Sequence, residues 1–295
     1  MRTKLISTFN VRGGVGKSLL TCMLADYVSL YVKNMSKSYP NVLVIDFDPQ
    51  SSTSIDILDE KAYSKHVNEG QDLSNVAEQL TSKEKAEEIL PSITIKRPQV
   101  SDGTRADQLP SLDIIHSSNR TGIREFSCRK SIEDSVNIAS SIRGYLENHY
   151  DFVFIDLPAG SIPNSYTQIG HCLAENVIIP TNISNNDKAL QQTFELLEEN
   201  SQLIAKKCKI QGIIMNFCKR ETVIYKRRIH EVSRIAKLNN TKVFRQNIPY
   251  SPSVAVLPIN QAVTFNQKYG AFRKNAREIT IELLESLGIK VRYSK

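Results

Sequence analysis

Residues 11–18 read Val-Arg-Gly-Gly-Val-Gly-Lys-Ser, types suited to holding a polyphosphate. Gly13, Gly14 and Gly16 leave room for the backbone to wrap a phosphate chain. Lys17 offers a cation that reaches β- and γ-phosphates, and the Ser18 hydroxyl is a ligand for Mg2+. The common G-x-x-x-x-G-K-[ST] spacing is not met, because Val11 occupies the place of the first glycine. Three carboxylates extend the set. Asp46 and Asp48 stand two apart at the end of the apolar run Val42–Asp46, so strand alternation carries both to one side. Asp156 closes the run Phe152-Val153-Phe154-Ile155 and suits a Mg2+ held through water. A lone strand-terminal Asp more often serves as a cap or turn residue. Three of them beside a glycine-rich loop point to metal-assisted phosphate chemistry.

These residues act together only if separate segments converge on one edge of a sheet. Short apolar runs predict strands at Leu5–Asn10, Val42–Asp46, Leu112–His116, Phe152–Asp156, Val177–Pro180, Gly212–Asn216 and Lys242–Arg245. Amphipathic stretches predict helices at Lys17–Val32, Ile132–Asn148, Lys188–Lys206, Thr222–Leu238 and Arg273–Leu287. The alternation implies an α/β fold, a twisted and mostly parallel sheet with helices on both faces. The glycine-rich loop then follows a strand and opens a helix, so helix-terminal N–H groups face the phosphates. Leu58–Ser111 is polar, with a short helix near Leu73–Leu90 and a surface excursion after it. That stretch lacks the apolar content of an independent core, so residues 1–295 are expected to form a single domain.

The chain has 295 residues, a net charge of +7 and a pI near 9.1, which favours a polyanionic partner, nucleic acid or an acidic membrane surface. Its five cysteines follow no metal or disulfide spacing and fit buried free thiols in a reducing cytoplasm. No apolar run approaches the roughly 20 residues of a membrane span, so no stable membrane insertion is expected.

The loop resembles the deviant Walker A motif of the ParA/MinD-type P-loop ATPases, and Asp46-Phe47-Asp48-Pro49-Gln50-Ser51-Ser52-Thr53 looks like their second motif, in a form nearer ParA than MinD. Phe154-Ile155-Asp156-Leu157-Pro158, Val177-Ile178-Ile179-Pro180-Thr181, Gly212-Ile213-Ile214-Met215-Asn216 and Asn247-Ile248-Pro249 follow in family order. The resemblance implies ATP held by Gly13, Gly14, Val15, Gly16, Lys17, Ser18 and Leu19, with Asn216 and Pro249 near the adenine. It places Ser18, Asp46 and Asp156 around Mg2+ and gives Asp48 the orientation of the attacking water. It also implies slow hydrolysis and an ATP-dependent homodimer closed face to face over two nucleotides.

One signature residue departs. The family's lysine at position 12 is arginine here, and the planar guanidinium is not a neutral replacement. Three roles are open to Arg12: a finger reaching the partner's nucleotide, a phosphate ligand that slows hydrolysis, or a residue whose task has moved elsewhere. Residues 201–250 carry twelve lysines and arginines against two glutamates. Lys219, Arg220, Lys226, Arg227 and Arg228 are the candidates for binding non-specific DNA. The family reading adds a centromere-binding or cargo adaptor protein and association with the nucleoid when ATP is bound. Its rivals are a MinD-like membrane ATPase, an iron–sulfur carrier, and an ATP-binding scaffold with little turnover.

Overall fold

Apolar residues on both faces of a run bury it as a central strand, and the short runs of this chain do so. The computed structural model describes residues 2–33, 39–97, 112–118, 131–160, 165–184, 187–203, 208–250, 268–289 and 292–293. The strands are β1 (Lys4–Thr8), β2 (Val32–Lys33), β3 (Val42–Asp46), β4 (Ile95–Lys96), β5 (Leu112–His116), β6 (Phe152–Asp156), β7 (Asn176–Asn182), β8 (Lys209–Cys218), β9 (Ile248–Pro249) and β10 (Arg292–Tyr293). Eight of them form a sheet in the order β4-β5-β3-β6-β1-β7-β8-β9, parallel except at the β4 edge; β2 and β10 form a separate antiparallel pair.

The helices are α1 (Lys17–Tyr31), α2 (Ser52–Leu58), α3 (Glu60–Asn68), α4 (Leu73–Val76), α5 (Lys83–Ile93), α6 (Ile132–His149), α7 (Ser165–Leu173), α8 (Asp187–Leu203), α9 (Val223–Leu238) and α10 (Arg273–Ser286). Alternate strand residues supply two cores. Leu43, Ile45, Val153 and Ile155 pack with α5, α6, α7 and α8 on one face. Val42, Val44, Phe152 and Phe154 pack with α1 and α10 on the other. The fold is the α/β arrangement expected from the alternation of runs.

Register makes the site. Thr8 stands opposite Asp156, Asp156 opposite Asp46, and Asp46 opposite His116, a row across the carboxyl ends of four neighbouring strands. Asp46 and Asp156 continue the alternation of Val44 and Phe154, and therefore face α1 and α2.

Three expectations change. The single helix near Leu73–Leu90 is two, each started by its own side-chain cap, Asp72 accepting from Ser74 N and Ser82 from Lys85 N. The surface excursion expected after Leu90 does not begin there, since α5 runs on to Ile93, which enters the core, and β4 joins the sheet. Lys242–Arg245 forms only a bridge between Val243 and Ile213. Two further helices appear, α2 running up to the start of the polar stretch and α3 within it, while its residues 98–111 lie outside the described residues. So does Cys128; among the described residues the other four cysteines form no disulfide with one another.

Candidate functional site

The glycine-rich loop leaves β1 and is braced from three directions. Asn10 Oδ1 accepts from Arg12 N at 2.8 Å, and Asn10 Nδ2 donates to Pro180 O at 2.8 Å. Asn182 Nδ2 donates to Gly14 O at 3.3 Å, and Asn216 Nδ2 donates to Val15 O at 2.8 Å. Gly160 N donates to Val11 O at 2.9 Å. Gly14 and Gly16 have φ of +71° and +84°, the left-handed region that costs a side-chain-bearing residue about 1–2 kcal/mol. A Cβ on Gly16 would also lie 2.9 Å from both Asn216 Nδ2 and Phe217 Cζ. Phe217 itself has φ +55° at a register shift in β8, a rare conformation for a bulky residue, and this bends its ring against Gly16.

Arg12, Gly13 and Gly14 are exposed, whereas Val15 and Lys17 are buried and Ser18 and Leu19 are half-buried. Lys17 begins α1, and its Nζ curls back to Arg12 O at 3.3 Å. Burial holds the Lys17 ammonium below its ordinary pKa, with Asp156 and Asp48 opposing that shift.

The carboxylates divide their work. Asp46 is saturated by protein: Oδ1 accepts from Asp48 N at 3.0 Å, and Oδ2 from Ser54 N at 2.9 Å and Ser54 Oγ at 2.5 Å. It thereby fixes the Asp48 turn and the start of α2. Asp156 Oδ2 accepts from Thr53 Oγ1 at 2.6 Å, and the Ser18 hydroxyl favours the charged form of the same carboxylate. Desolvation pushes Asp156 up to about 6 and Asp46 well above the usual carboxylate range. The Lys17 ammonium opposes the rise at Asp156, whereas Asp156 itself adds to the rise at Asp46. The Asp48 carboxylate is partly exposed and accepts from Gln50 N at 2.9 Å.

The hydroxyl of Ser18 and the oxygens of Asp156 are hard donors of the kind Mg2+ takes. Among the described residues no three His, Cys, Asp or Glu side chains form a metal cage. Mg2+ commonly keeps water and phosphate oxygens among its ligands. Asn216 is fully buried with an unpartnered Oδ1, while Pro249 is half-buried in β9, the strand beside it.

The basic residues separate by helix face. Lys219, Arg220, Lys226 and Arg227 are exposed near the start of α9. Arg228 corrects the expectation of a DNA-facing residue. Its side chain is 7% exposed against 83% for Arg227, and it is bonded to Asp187 and to Glu231. The roughly 100° between successive helical residues turns one outward and the other inward.

Sequence reasoning missed the residues that hold the machinery in place. Thr193 of α8 brings Oγ1 within 3.3 Å of Val11 N and Asn10 Oδ1, and Thr8 Oγ1 meets Thr21 Oγ1 at 2.6 Å. Asn10 directly before the loop was the available signal; Thr193 carries none in an ordinary amphipathic pattern.

A family model described as an AAA domain matches residues 3–211. A search of curated proteins matches none. Among solved structures, an McdA variant from Cyanothece in complex with ATP is 16% identical, with a TM-score of 0.69 over 98% of each chain. Cobyrinic acid a,c-diamide synthase from Mycobacterium smegmatis, with bound ADP and magnesium, is 16% identical at TM-score 0.65 over 99% of each chain. A plasmid partition protein from Borrelia burgdorferi is 19% identical at TM-score 0.58, over 97% of this chain and 98% of its own.

Proposed function

The chain belongs to the AAA domain family, as a ParA/MinD-type P-loop ATPase, and from that premise we propose an ATP-switched homodimer that binds DNA without reading its sequence and positions or partitions a cargo through an adaptor protein. The observation that carries the ATPase part is the junction of Lys17, Ser18 and buried Asp156 at the carboxyl ends of β1 and β6. Likeness to a plasmid partition protein and to McdA supports the positioning part.

In this reading the loop N–H groups and Lys17 hold the phosphate chain, and Asp48 orients the water that attacks the terminal phosphoryl group. Hydrolysis gives ADP and phosphate. Bound Mg2+ supplies positive charge against the phosphate oxygens. Asp46 keeps the Asp48 turn in place through the Asp48 N–H. Asn216 Oδ1 offers an acceptor to the adenine amino group, with Pro249 beside it. Arg12, exposed at the mouth of the loop, reaches the partner's nucleotide across the dimer. Work of this kind is positioning and charge stabilisation, and it suits a slow, partner-stimulated switch in the cytoplasm.

The test is turnover of ATP and Mg2+ by the full chain, alone and with duplex DNA. Phosphate release above background that is lost in Lys17→Ala supports the reading. ATP-dependent dimerisation without any release would make the protein a scaffold instead.

A further inference from the structure

A buried ion cluster lies where α1, α2 and the turn before α10 meet. Lys268 Nζ stands 2.7 Å from Asp56 Oδ2 and donates to Asp56 O at 3.3 Å, both on α2. It also donates to Asp26 Oδ2 of α1 at 3.5 Å. The hydroxyl of Tyr269 donates to the same Asp26 oxygen at 3.0 Å, and Arg97 bonds the other one. The Lys268 side chain is 8% exposed. Burial acts to lower its pKa, but Asp56 and Asp26 overcome that and hold the ammonium above its ordinary range. Two cations thus balance two carboxylates, and removing one leaves a partner's charge uncompensated.

The cluster grips a helix that cannot place itself. The helix α2 has seven residues, and its N-cap Ser51 is left-handed and supplies no side-chain cap. So short a helix is not stable alone in water, and its position comes from contacts with its surroundings. Its first turn carries the groups that bind the site acids: Thr53 Oγ1 on Asp156, and Ser54 N and Oγ on Asp46. Asp46 in turn holds Asp48 N. Ile57 and Leu58 pack with α1 in the core, but apolar contact is non-directional and leaves the helix free to slide and rotate. The bonds from Lys268 to Asp56 are directional. They act about 5 Å along the axis from Thr53, on the last turn, where a cation also complements the helix dipole.

We propose that Lys268 is a positioning residue for hydrolysis: it clamps α2 to α1 and so fixes the Asp48 turn relative to the phosphate loop. Asp26 lies about 13 Å along α1 from Lys17, so Lys268 acts through α2 rather than on the phosphates. The effect on turnover rests on the ATPase reading; the clamp itself does not.

The test compares Lys268→Met with Arg97→Met. Each removes a buried cation from the same cluster, but Arg97 bonds Asp26 and Ser29, neither of which is on α2. Both variants are expected to melt lower than the parent by similar amounts, and all measurements are made where each is folded. Hydrogen exchange in the full chain without nucleotide reads the clamp. Amides of residues 52–58 are expected to exchange about tenfold faster in Lys268→Met and at the parent rate in Arg97→Met. Phosphate release with ATP and Mg2+ reads the positioning. Lys268→Met is expected to lower kcat about tenfold and to leave KM and affinity for a non-hydrolysable analogue within about twofold. Arg97→Met is expected to keep the parent kcat, and Lys268→Arg to recover most of it. Asp56→Ala removes the α2 side of the clamp at a side chain that is 27% exposed, and is expected to follow Lys268→Met with a smaller loss of stability.

Parent-like exchange of α2 in both Lys268→Met and Asp56→Ala overturns the clamp. Equal losses of kcat in Lys268→Met and Arg97→Met, or a loss confined to nucleotide affinity, overturns the positioning role. Faster exchange of α2 in a chain that hydrolyses no ATP supports the clamp and counts against the ATPase reading alone.

Discussion

In the proposed ATPase, Lys17 and Asp48 serve opposite ends of one chemical task, and their surroundings differ. Lys17 is buried at the helix start, where the phosphate chain would replace the Arg12 carbonyl as its partner. Asp48 is partly exposed on a turn held by Asp46, a place for a group that handles water. Lys17→Ala is therefore expected to lower ATP affinity about a hundredfold or more, since hydrogen bonds to charged groups are worth about 1.5–3 kcal/mol each. Asp48→Ala is expected to keep nucleotide affinity and lose turnover; isothermal titration and phosphate release read the two separately. Arg12 separates by assembly state. If it reaches across the dimer, Arg12→Ala weakens sedimentation as a dimer with a non-hydrolysable ATP analogue, and Arg12→Lys retains part of it. Equal dimerisation by all three proteins would remove Arg12 from the interface. The convergence of the glycine-rich loop with Asp46 and Asp156 at one sheet edge was legible because residue types and strand alternation are local signals. Thr193, Asn182 and Phe217 were not, because their roles come from packing between segments far apart in sequence, which no local pattern records.

Elements carry the next level of constraint, and α7 shows how a short one escapes notice. Nine residues with Gly170 near the end give a weak helical signal, yet every residue but Gln168 is buried beneath the sheet. A Cβ at Gly170 would lie 2.2 Å from Leu157 Cδ2, so any larger residue there displaces the buried Leu157 side chain. His171 of the same helix packs edge-on to Phe9 at 4.6 Å between ring centroids, with neither ring nitrogen bonded. Burial holds its pKa down to about 4, against 6.5 for an ordinary histidine. The folded chain thus binds this proton less readily than the unfolded chain. Its contribution to stability is complete above pH 6.5 and is lost as pH falls from there toward 4. The loss from this one residue is on the order of 3 kcal/mol. His171→Phe is expected to flatten the acid limb of a urea-denaturation series across that window; an unchanged limb would assign acid sensitivity to other groups. At the loop, Gly16→Ala combines a left-handed backbone with the close approach of Asn216 and Phe217. It is expected to impair nucleotide binding even though it adds one methyl group.

For the whole molecule, charge distribution decides what the basic segment 201–250 does. The twelve cations of residues 201–250 looked uniform in sequence, but folding assigns them different tasks. Arg228 is inside, joined to Asp187 and Glu231, while Lys242 pairs with Glu282 at 3.2 Å. Lys206 and Lys207 lie outside the described residues. Of the remaining eight, Lys209, Arg234, Lys237 and Arg245 are exposed, and Lys219, Arg220, Lys226 and Arg227 form an exposed group at the end of the sheet that carries the phosphate loop. An ATP-closed dimer would present two such groups to one duplex, so DNA affinity is expected to need ATP and to ignore sequence. Each phosphate neutralised contributes about 0.9 to the slope of log affinity against log salt. Lys226→Glu/Arg227→Glu is therefore expected to weaken all sequences alike and to flatten that slope by about one for each phosphate left unneutralised, with ATP affinity unchanged. Arg228→Ala separates the alternatives. As a buried ion-pair member it is expected to lower stability by about 2 kcal/mol, less than a fully enclosed pair because Asp187 is 34% exposed. At a temperature where it remains folded, its salt slope on DNA is expected to match the parent's. Filter binding across salt, with ATP, ADP and no nucleotide, distinguishes these outcomes. A steep slope without ATP would detach DNA binding from the switch, and a slope that falls only in Arg228→Ala would mean that this arginine leaves its carboxylates to meet the duplex.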